Sequence, residues 1–236
     1  MKKMKNIAII PARSGSKGLI NKNIKWLAGK PLMAYSIITA IESGQFDTVM
    51  VSTDSQKYAD IAKEFGADVP FLRSEKASSD TASSWDAVEE VLNNYKAFGK
   101  TFDTFMLLQP TSPLRTTENI IEAFEEMDKK KADSIISLCE ADHSPELCNT
   151  LPENKSLTSF WKNNSKGKRR QDLPIFYRIN GAIYLAKTSF FIEDHNIYRD
   201  NCYAYLMNKR DSVDIDDELD FIIAETIMSQ RAKKTP

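Results

Sequence analysis

Strand-like and helix-like stretches alternate from Asn6 to Glu140, and this alternation limits the fold more than any other feature of the chain. "NIAIIP" (6–11) is a continuous apolar run, as in a strand buried on both faces. "GKPLMAYSIITAIESG" places Leu32, Tyr35, Ile38 and Ile41 at helical spacing, with Gly44 as the C-terminal stop. "DTVMVSTD" predicts a second strand, and "SQKYADIAKEFGA" a helix closed by Gly66. "SSWDAVEEVLNNY" (helix), "DTFMLLQPTSP" (strand into loop), "TENIIEAFEEMDKK" (helix) and "DSIISLCE" (strand) continue the pattern. Lys129–Lys131 reads as a solvated helix end, where cations suit the dipole. The expectation is an α/β fold with a mostly parallel sheet covered by helices.

Ligands of such sheets sit beyond the carboxyl ends of the strands. Three loops leave strands at that edge: 11–23, 52–54 and 109–115. The first, "PARSGSKGLINKN", carries Gly15, Gly18, Arg13, Lys17 and Lys22. It is neither a Walker A loop nor a dinucleotide fingerprint, since its glycines have the wrong spacing. Flexible backbone and three converging cations nevertheless favour a polyanion. A solvated basic turn is the plain alternative for this stretch alone.

The 236 residues allow roughly 70–75% of the unfolded surface to be buried, so neither disulfide nor metal is needed for folding. A net charge of -1 argues against broad attraction to nucleic acid or membrane, so any anion site must be local. Cys139, Cys148 and Cys202 are scattered and odd in number, which suits reduced thiols in a cytoplasmic protein. The apolar run of the N-terminus stops at Pro11, too short for an export signal, and no stretch approaches a membrane span.

Regularity fails over 141–172, which is rich in Asn, Lys, Ser and Pro but carries Leu151, Phe160 and Trp161. A connection of this length is functional, disordered or an oligomer contact, and its aromatics favour contact. "NGAIYLAK" and "CYAYLM" predict further strands, and a C-terminal helix follows with Leu219, Ile222, Ile223 and Ile227 as its expected buried stripe. Asp214 and Asp216 stand at i and i+2 in "SVDIDDELD", so in an extended segment both face one way and can share a hard cation such as Mg2+. A purely structural role is the ordinary reading of a lone D-x-D. Asp217 and Glu218 suit the helix start better. The basic loop and the acidic pair together suggest a nucleoside triphosphate with its metal. His143 and His195 lie in polar stretches and read as surface residues, and no Ser/His/Asp nucleophile set is visible, which favours direct transfer between substrates.

Seven segments, "IIPARSGSKGLINKNIKWLAGKPL", "VSTDS", "SSDTASSWD", "LLQPTSPLRT", "RRQDLP", "RINGAIY" and "DSVDIDDELD", occur in the order seen in bacterial CMP-sialic acid synthetases. The chain resembles that family from about residue 5 to residue 230. The resemblance implies a three-layer, Rossmann-like nucleotidyltransferase domain spanning 1–236, with 141–172 as an inserted dimerisation arm. It implies CMP transfer from CTP to the anomeric hydroxyl of N-acetylneuraminic acid or a similar nine-carbon 2-keto sugar acid, with Mg2+ as cofactor and Mn2+ able to substitute. Arg13 matches the family's loop arginine and Lys22 its triphosphate lysine, with Ala12, Gly15, Ser16 and Lys17 around them. Asn23, Arg73 and Ser84 match positions around cytosine and ribose, and Gln109 a sugar-contacting glutamine. Arg178 and Asn180 match the motif framing the sugar pocket, and Asp214 and Asp216 the metal pair. Arg170 matches an arginine that reaches a neighbouring subunit's sugar site, so a homodimer is implied.

Where many members carry a lysine after the arm's His-Pro, this chain reads "DHSPELCNTL", which leaves recognition of the sugar side chain open. Alternatives are the same chemistry on legionaminic, pseudaminic or an eight-carbon acid, a non-catalytic sugar-nucleotide-binding homologue, and a metal-dependent glycosyltransferase. Singly, Arg73 and Arg115 could be surface ion pairs, Ser84 a helix-start residue, Gln109 a loop cap and Arg170 part of a solvated basic run.

Overall fold

A computed structural model describes residues 4–15, 19–158, 160 and 169–233. In chain order the elements are β1 (Asn6–Pro11), the small hairpin β2 (Trp26–Leu27) and β3 (Lys30–Pro31), α1 (Leu32–Glu42), β4 (Thr48–Ser52) and α2 (Gln56–Glu64). There follow α3 (Glu75–Ser78), α4 (Ser84–Ala97), β5 (Thr104–Leu107), α5 (Thr117–Lys130) and β6 (Ser134–Glu140). The chain ends with β7 (Tyr177–Lys187), α6 (Thr188–Asp194), β8 (Cys202–Leu206) and α7 (Glu218–Ala232). Among the described residues, no helix is long and apolar enough to cross a membrane.

The six-stranded sheet has the order β4-β1-β5-β7-β6-β8. β1 shows why it is covered on both faces. Successive strand side chains point to opposite sides, and Ile7 and Ile9 join one core cluster while Ala8 and Ile10 join the other. All four are fully buried, and each isoleucine so enclosed contributes about 1.5–3 kcal/mol. Helices α4 and α6 close the first face (Val88, Val91 and Phe191), and α1, α2 and α5 the second (Ile37, Ala59 and Phe124). Helix starts are set by side chains. Ser83 with Asp86, Thr116 with Asn119, and Asp217 with Asp220 each form a reciprocal capping box.

The sheet is mostly parallel, as expected, with one exception: β7 runs antiparallel to both β5 and β6. Among the described residues no crossover helix separates β6 from β7, and a parallel return needs one. β6 and β7 instead pair as a long antiparallel hairpin, closed at its base by Ala141 N–H to the Phe176 carbonyl (2.8 Å), with the irregular 141–172 stretch between them in sequence. β8 pairs parallel to β6. The first turns of β7 and the segment after β8 therefore reach the sheet edge where β1, β4 and β5 end.

The expected stripe on α7 is corrected. Leu219, Ile222 and Ile223 are 64%, 53% and 41% exposed, whereas Phe221 and Ala224 are buried with Leu27, Leu32, Leu114 and Ile215. Of the four predicted positions only Ile227 packs against that cluster. The helix is apolar on more than one side, so its contact face is chosen by its neighbours, among them Lys25, whose ammonium lies 4.4 Å over the Phe221 ring. In α1, likewise, Met33, Ile37 and Ala40 enter the core and Ile41 is exposed.

Candidate active site

β1 delivers the chain to the carboxyl edge at Pro11, and Ala12 N–H extends the parallel pairing to Ser52 O (2.8 Å). Asp54, just past β4, then fastens the glycine loop by accepting from the Ser14 amide and hydroxyl, both at 2.8 Å. Burial opposes the Asp54 charge, yet these Ser14 bonds and the charge of Arg73 leave its carboxyl below the usual aspartate range. After the loop, Asn21 adopts a left-handed conformation (φ 56°) and starts a 3-10 turn over Lys22–Ile24. That turn lets Asn23 Nδ2 reach back to Arg13 O (3.0 Å), tying the two ends of the loop together. It also sends Lys22 Nζ to Ile215 O (2.6 Å) and Asp216 Oδ1 (3.4 Å). Arg13 reaches across to the Ser79 carbonyl (3.2 Å) and to Asp80 (3.3 Å).

Arg73 is no surface ion pair. It is 8% exposed, and its guanidinium donates to Ser52 Oγ (2.9 Å) and the Ser52 carbonyl. Burial pulls its pKa down to about 10, so it stays charged at neutral pH. Arg115 is 3% exposed and donates to Ala182 O (2.7 Å) and Ser36 Oγ (2.5 Å), with burial lowering it to about 9. Both arginines serve as internal braces of the loops that form the site. Ser83, rather than Ser84, caps α4, which leaves Ser84 on the wall of the cleft.

These loops enclose a cleft of about 380 Å3. Arg13, Lys22, Asn23, Arg73, Ser84, Gln109, Asp214 and Asp216 all line it, drawn from five separated stretches of sequence. The Asp pair behaves as its spacing suggested: Ile215 between them is fully buried, and both carboxylates face the cleft. Burial raises the Asp214 pKa, and the Asp216 charge adds to this, while the Thr111 hydroxyl, Lys22 and Arg178 act against it. Asp214 Oδ1 is buried without a hydrogen-bond partner among the described residues. An orphaned carboxylate oxygen beside a second carboxylate fits a hard cation. No group of three or more His, Cys, Asp or Glu ligands occurs among the described residues, so the protein would offer few ligands and leave the rest to phosphate and water, as Mg2+ sites do.

Other expected site residues fall elsewhere. Asn180 is not among the lining residues: its side chain is fully buried, donating to Ser212 Oγ (2.9 Å) and accepting from Ser137 Oγ (2.6 Å). Ala12 is also fully buried with its N–H engaged by Ser52, and it offers the cleft no donor. Gly15 is exposed and outside the lining. Arg178 is outside the lining, donating to Ser212 O (3.2 Å) and 3.8 Å from Asp142. Ser16 and Lys17 lie outside the described residues, and Arg170 opens a 3-10 turn, Arg170–Asp172. Thr111, Ser83 and Asp80 enter the site without having been singled out. Each sits inside a motif already marked, Ser83 next to Ser84, Thr111 two residues after Gln109 and Asp80 four before Ser84, and a polar side chain within such a motif was the available signal. His143 and His195 are exposed, as expected.

Known proteins resemble this chain along most of its length. The chain is 41% identical over 221 residues to the N-acylneuraminate cytidylyltransferase of Streptococcus agalactiae serotype III (strain NEM316), covering 93% of this chain and 52% of that protein. It thus spans about half the length of that relative. It is 37% identical to the CMP-N,N'-diacetyllegionaminic acid synthase of Legionella pneumophila, covering 95% of this chain and 97% of the relative. Among solved structures, a CMP:2-keto-3-deoxy-manno-octonic acid synthetase complexed with CTP superposes with a TM-score of 0.68 at 15% identity, over 96% of this chain and 99% of that one, a likeness of fold. The family model described as Cytidylyltransferase matches residues 7–226, nearly the whole chain, and the protein belongs to that family.

Proposed function

We propose that this protein transfers a cytidylyl group from CTP to the anomeric hydroxyl of a nonulosonic acid, N-acetylneuraminic acid in the first instance, releasing pyrophosphate. The observation that carries this reading is the single cleft in which two loop cations, a buried arginine, a glutamine and the acidic pair meet. Arg13 and Lys22 bind the triphosphate and stabilise the charge that grows on the departing pyrophosphate. Each such charge-assisted bond is worth roughly 1.5–3 kcal/mol, so a handful suffices for binding. Asn23, Arg73 and Ser84 surround cytosine and ribose, and Gln109 orients the sugar acid for in-line attack at the α-phosphorus. Asp214 and Asp216 would hold Mg2+, or Mn2+ in its place, which when bound polarises the α-phosphate. Arg13 and Lys22 are engaged by Asp80 and Asp216, and binding of the triphosphate exchanges these partners for phosphate.

The domain reading is one nucleotidyltransferase unit with 141–172 as an arm that reaches a second copy, Arg170 completing the partner's sugar site. Ile175, Tyr177 and Ile179, at the root of that hairpin, are 65%, 50% and 47% exposed, which suits an oligomer contact.

A second reading, N,N'-diacetyllegionaminic acid, is favoured by the match to the Legionella synthase along nearly all of both chains. Pyrophosphate release from CTP, with and without Mg2+, over N-acetylneuraminate, legionaminate and pseudaminate tests both readings. Turnover with one acid, lost in Asp214→Ala and on chelation, supports the proposal and names the sugar. A folded protein that binds CTP but is silent across the panel points to the non-catalytic homologue.

A further inference from the structure

β7 does not run straight past β6. Ile179 pairs with Leu138 and Tyr184 with Ile136, so Ser137 alone stands opposite residues 180–183. Bulges of this kind recur beside active sites, where they re-aim side chains. The groups that this bulge takes out of the ladder are captured by buried side chains. Ser137 Oγ accepts from Ile183 N–H (2.8 Å) and donates to Asn180 Oδ1 (2.6 Å), which also accepts from Ala182 N–H (3.2 Å). Ser112 Oγ donates to Asn180 O (3.4 Å), and Arg115 to Ala182 O (2.7 Å). Asn180 Nδ2 donates to Ser212 Oγ, which donates onward to Asn208 O (2.7 Å). Ser112, Ser137, Asn180 and Ser212 are each no more than 1% exposed. One interior network thus interlocks β6 and β7, the loop after β5, and the segment leading to Asp214.

Its consequence falls on Gly181. This residue has φ +74°, and a Cβ built on it would lie 2.4 Å from Gln109 Oε1 and 3.3 Å from Asp214 Oδ2. The absent side chain is the floor on which the Gln109 amide and the Asp214 carboxylate lie side by side. We propose that Gly181, held in place by the Asn180 bracket, is a positioning residue that sets the spacing between Gln109 and Asp214, and hence where the acceptor sugar acid sits relative to the α-phosphorus of CTP. This rests on the cleft being the site of CTP and a sugar acid. The clash in Gly181→Ala is with the far end of a flexible side chain. It is relieved by displacing the Gln109 amide, and a misplacement of about 1 Å near the chemistry costs on the order of 10²-fold in rate.

The test is a double-mutant cycle of Gly181→Ala and Gln109→Ala, read as kcat/KM for the sugar acid, KM for CTP and Tm. Gly181→Ala is expected to lower kcat/KM for the sugar on the order of 10²-fold while leaving KM for CTP nearly unchanged. In the Gln109→Ala background, where the 2.4 Å clash is gone and only the 3.3 Å approach to Asp214 Oδ2 remains, adding Gly181→Ala is expected to change kcat/KM far less. Strain at the positive φ acts in both backgrounds equally, so the same fold-loss in each, tracking a fall in Tm, overturns the proposal. If the wild type turns over no sugar acid, the functional reading fails by itself. Crystal structures of wild type and Gly181→Ala then decide the geometry: a displaced Gln109 amide upholds the role of Gly181, and an unmoved one refutes it.

Discussion

Arg115 offers a sharp test of how the site is braced, because the conservative replacement is expected to be the worse one. The guanidinium is 3% exposed, has no carboxylate partner among the described residues, and forks to Ala182 O at 2.7 Å and Ser36 Oγ at 2.5 Å. In Arg115→Met the charge disappears along with the need to bury it. Ser36 Oγ keeps its bond to Gln109 O (3.3 Å), so the main loss is the Ala182 carbonyl, which the bulge has removed from the β6 ladder. One stranded buried acceptor costs about 1–3 kcal/mol. Arg115→Lys keeps a charge but loses the planar fork, and a single ammonium cannot reproduce both bonds. An under-bonded buried charge costs roughly 3–5 kcal/mol. Deprotonation limits that loss to about 4–5 kcal/mol at pH 7, the cost of neutralising a group whose ordinary pKa is about 10.4. Urea denaturation followed by far-UV circular dichroism, with unchanged m as the check on two-state behaviour, measures both variants. A methionine variant less stable than the lysine variant, or both within about 0.5 kcal/mol of wild type, the range of neutral surface changes, would refute this account of the brace.

On α7, Phe221→Ala is expected to destabilise by roughly 3–5 kcal/mol, while Ile222→Ser and Leu219→Ser stay within about 0.5 kcal/mol; the reverse order in thermal denaturation would restore the stripe expected from spacing. Asp80→Ala releases one hold on Arg13, and because exposed ion pairs are worth about 0–1 kcal/mol, KM for CTP is expected to fall by no more than about fivefold, an effect that steady-state kinetics at low salt would resolve. Asp86 has its pKa lowered by the Ser83 hydroxyl first and the Ser83 amide second. A carboxylate with a depressed folded value contributes fully above its unfolded pKa, about 3.9, and loses that contribution as pH falls through the folded value. The Tm gap between wild type and Asp86→Ala should therefore be flat above about pH 5 and close below pH 4, and a gap that instead widened in acid would show that the cap acts some other way.

The local patterns were legible because the physics behind them is local. The alternation of Ile7 to Ile10 between the two faces of the sheet, the left-handed stops at Gly44 and Gly66, and the helix-start role of Asp217 each depend on neighbours a few residues away. So does the shared facing of Asp214 and Asp216, which needs only an extended segment with Ile215 turned inward. The ordered motifs carried the family and most of the cleft lining. What the chain could not announce were choices made between distant segments. The direction of β7 is set by its pairing with β5 and β6, and the buried side of α7 by which neighbours it meets. Arg73 and Arg115 look like surface cations until Ser52 and Ala182 present acceptors to them in the interior. Asn180, one residue from the cleft floor, points instead into a network closed by Ser137 and Ser212. A polar side chain carries no mark of whether its partner will be a ligand or a hydroxyl 32 residues away. Only the folded chain, by bringing one or the other within hydrogen-bond reach, makes that choice.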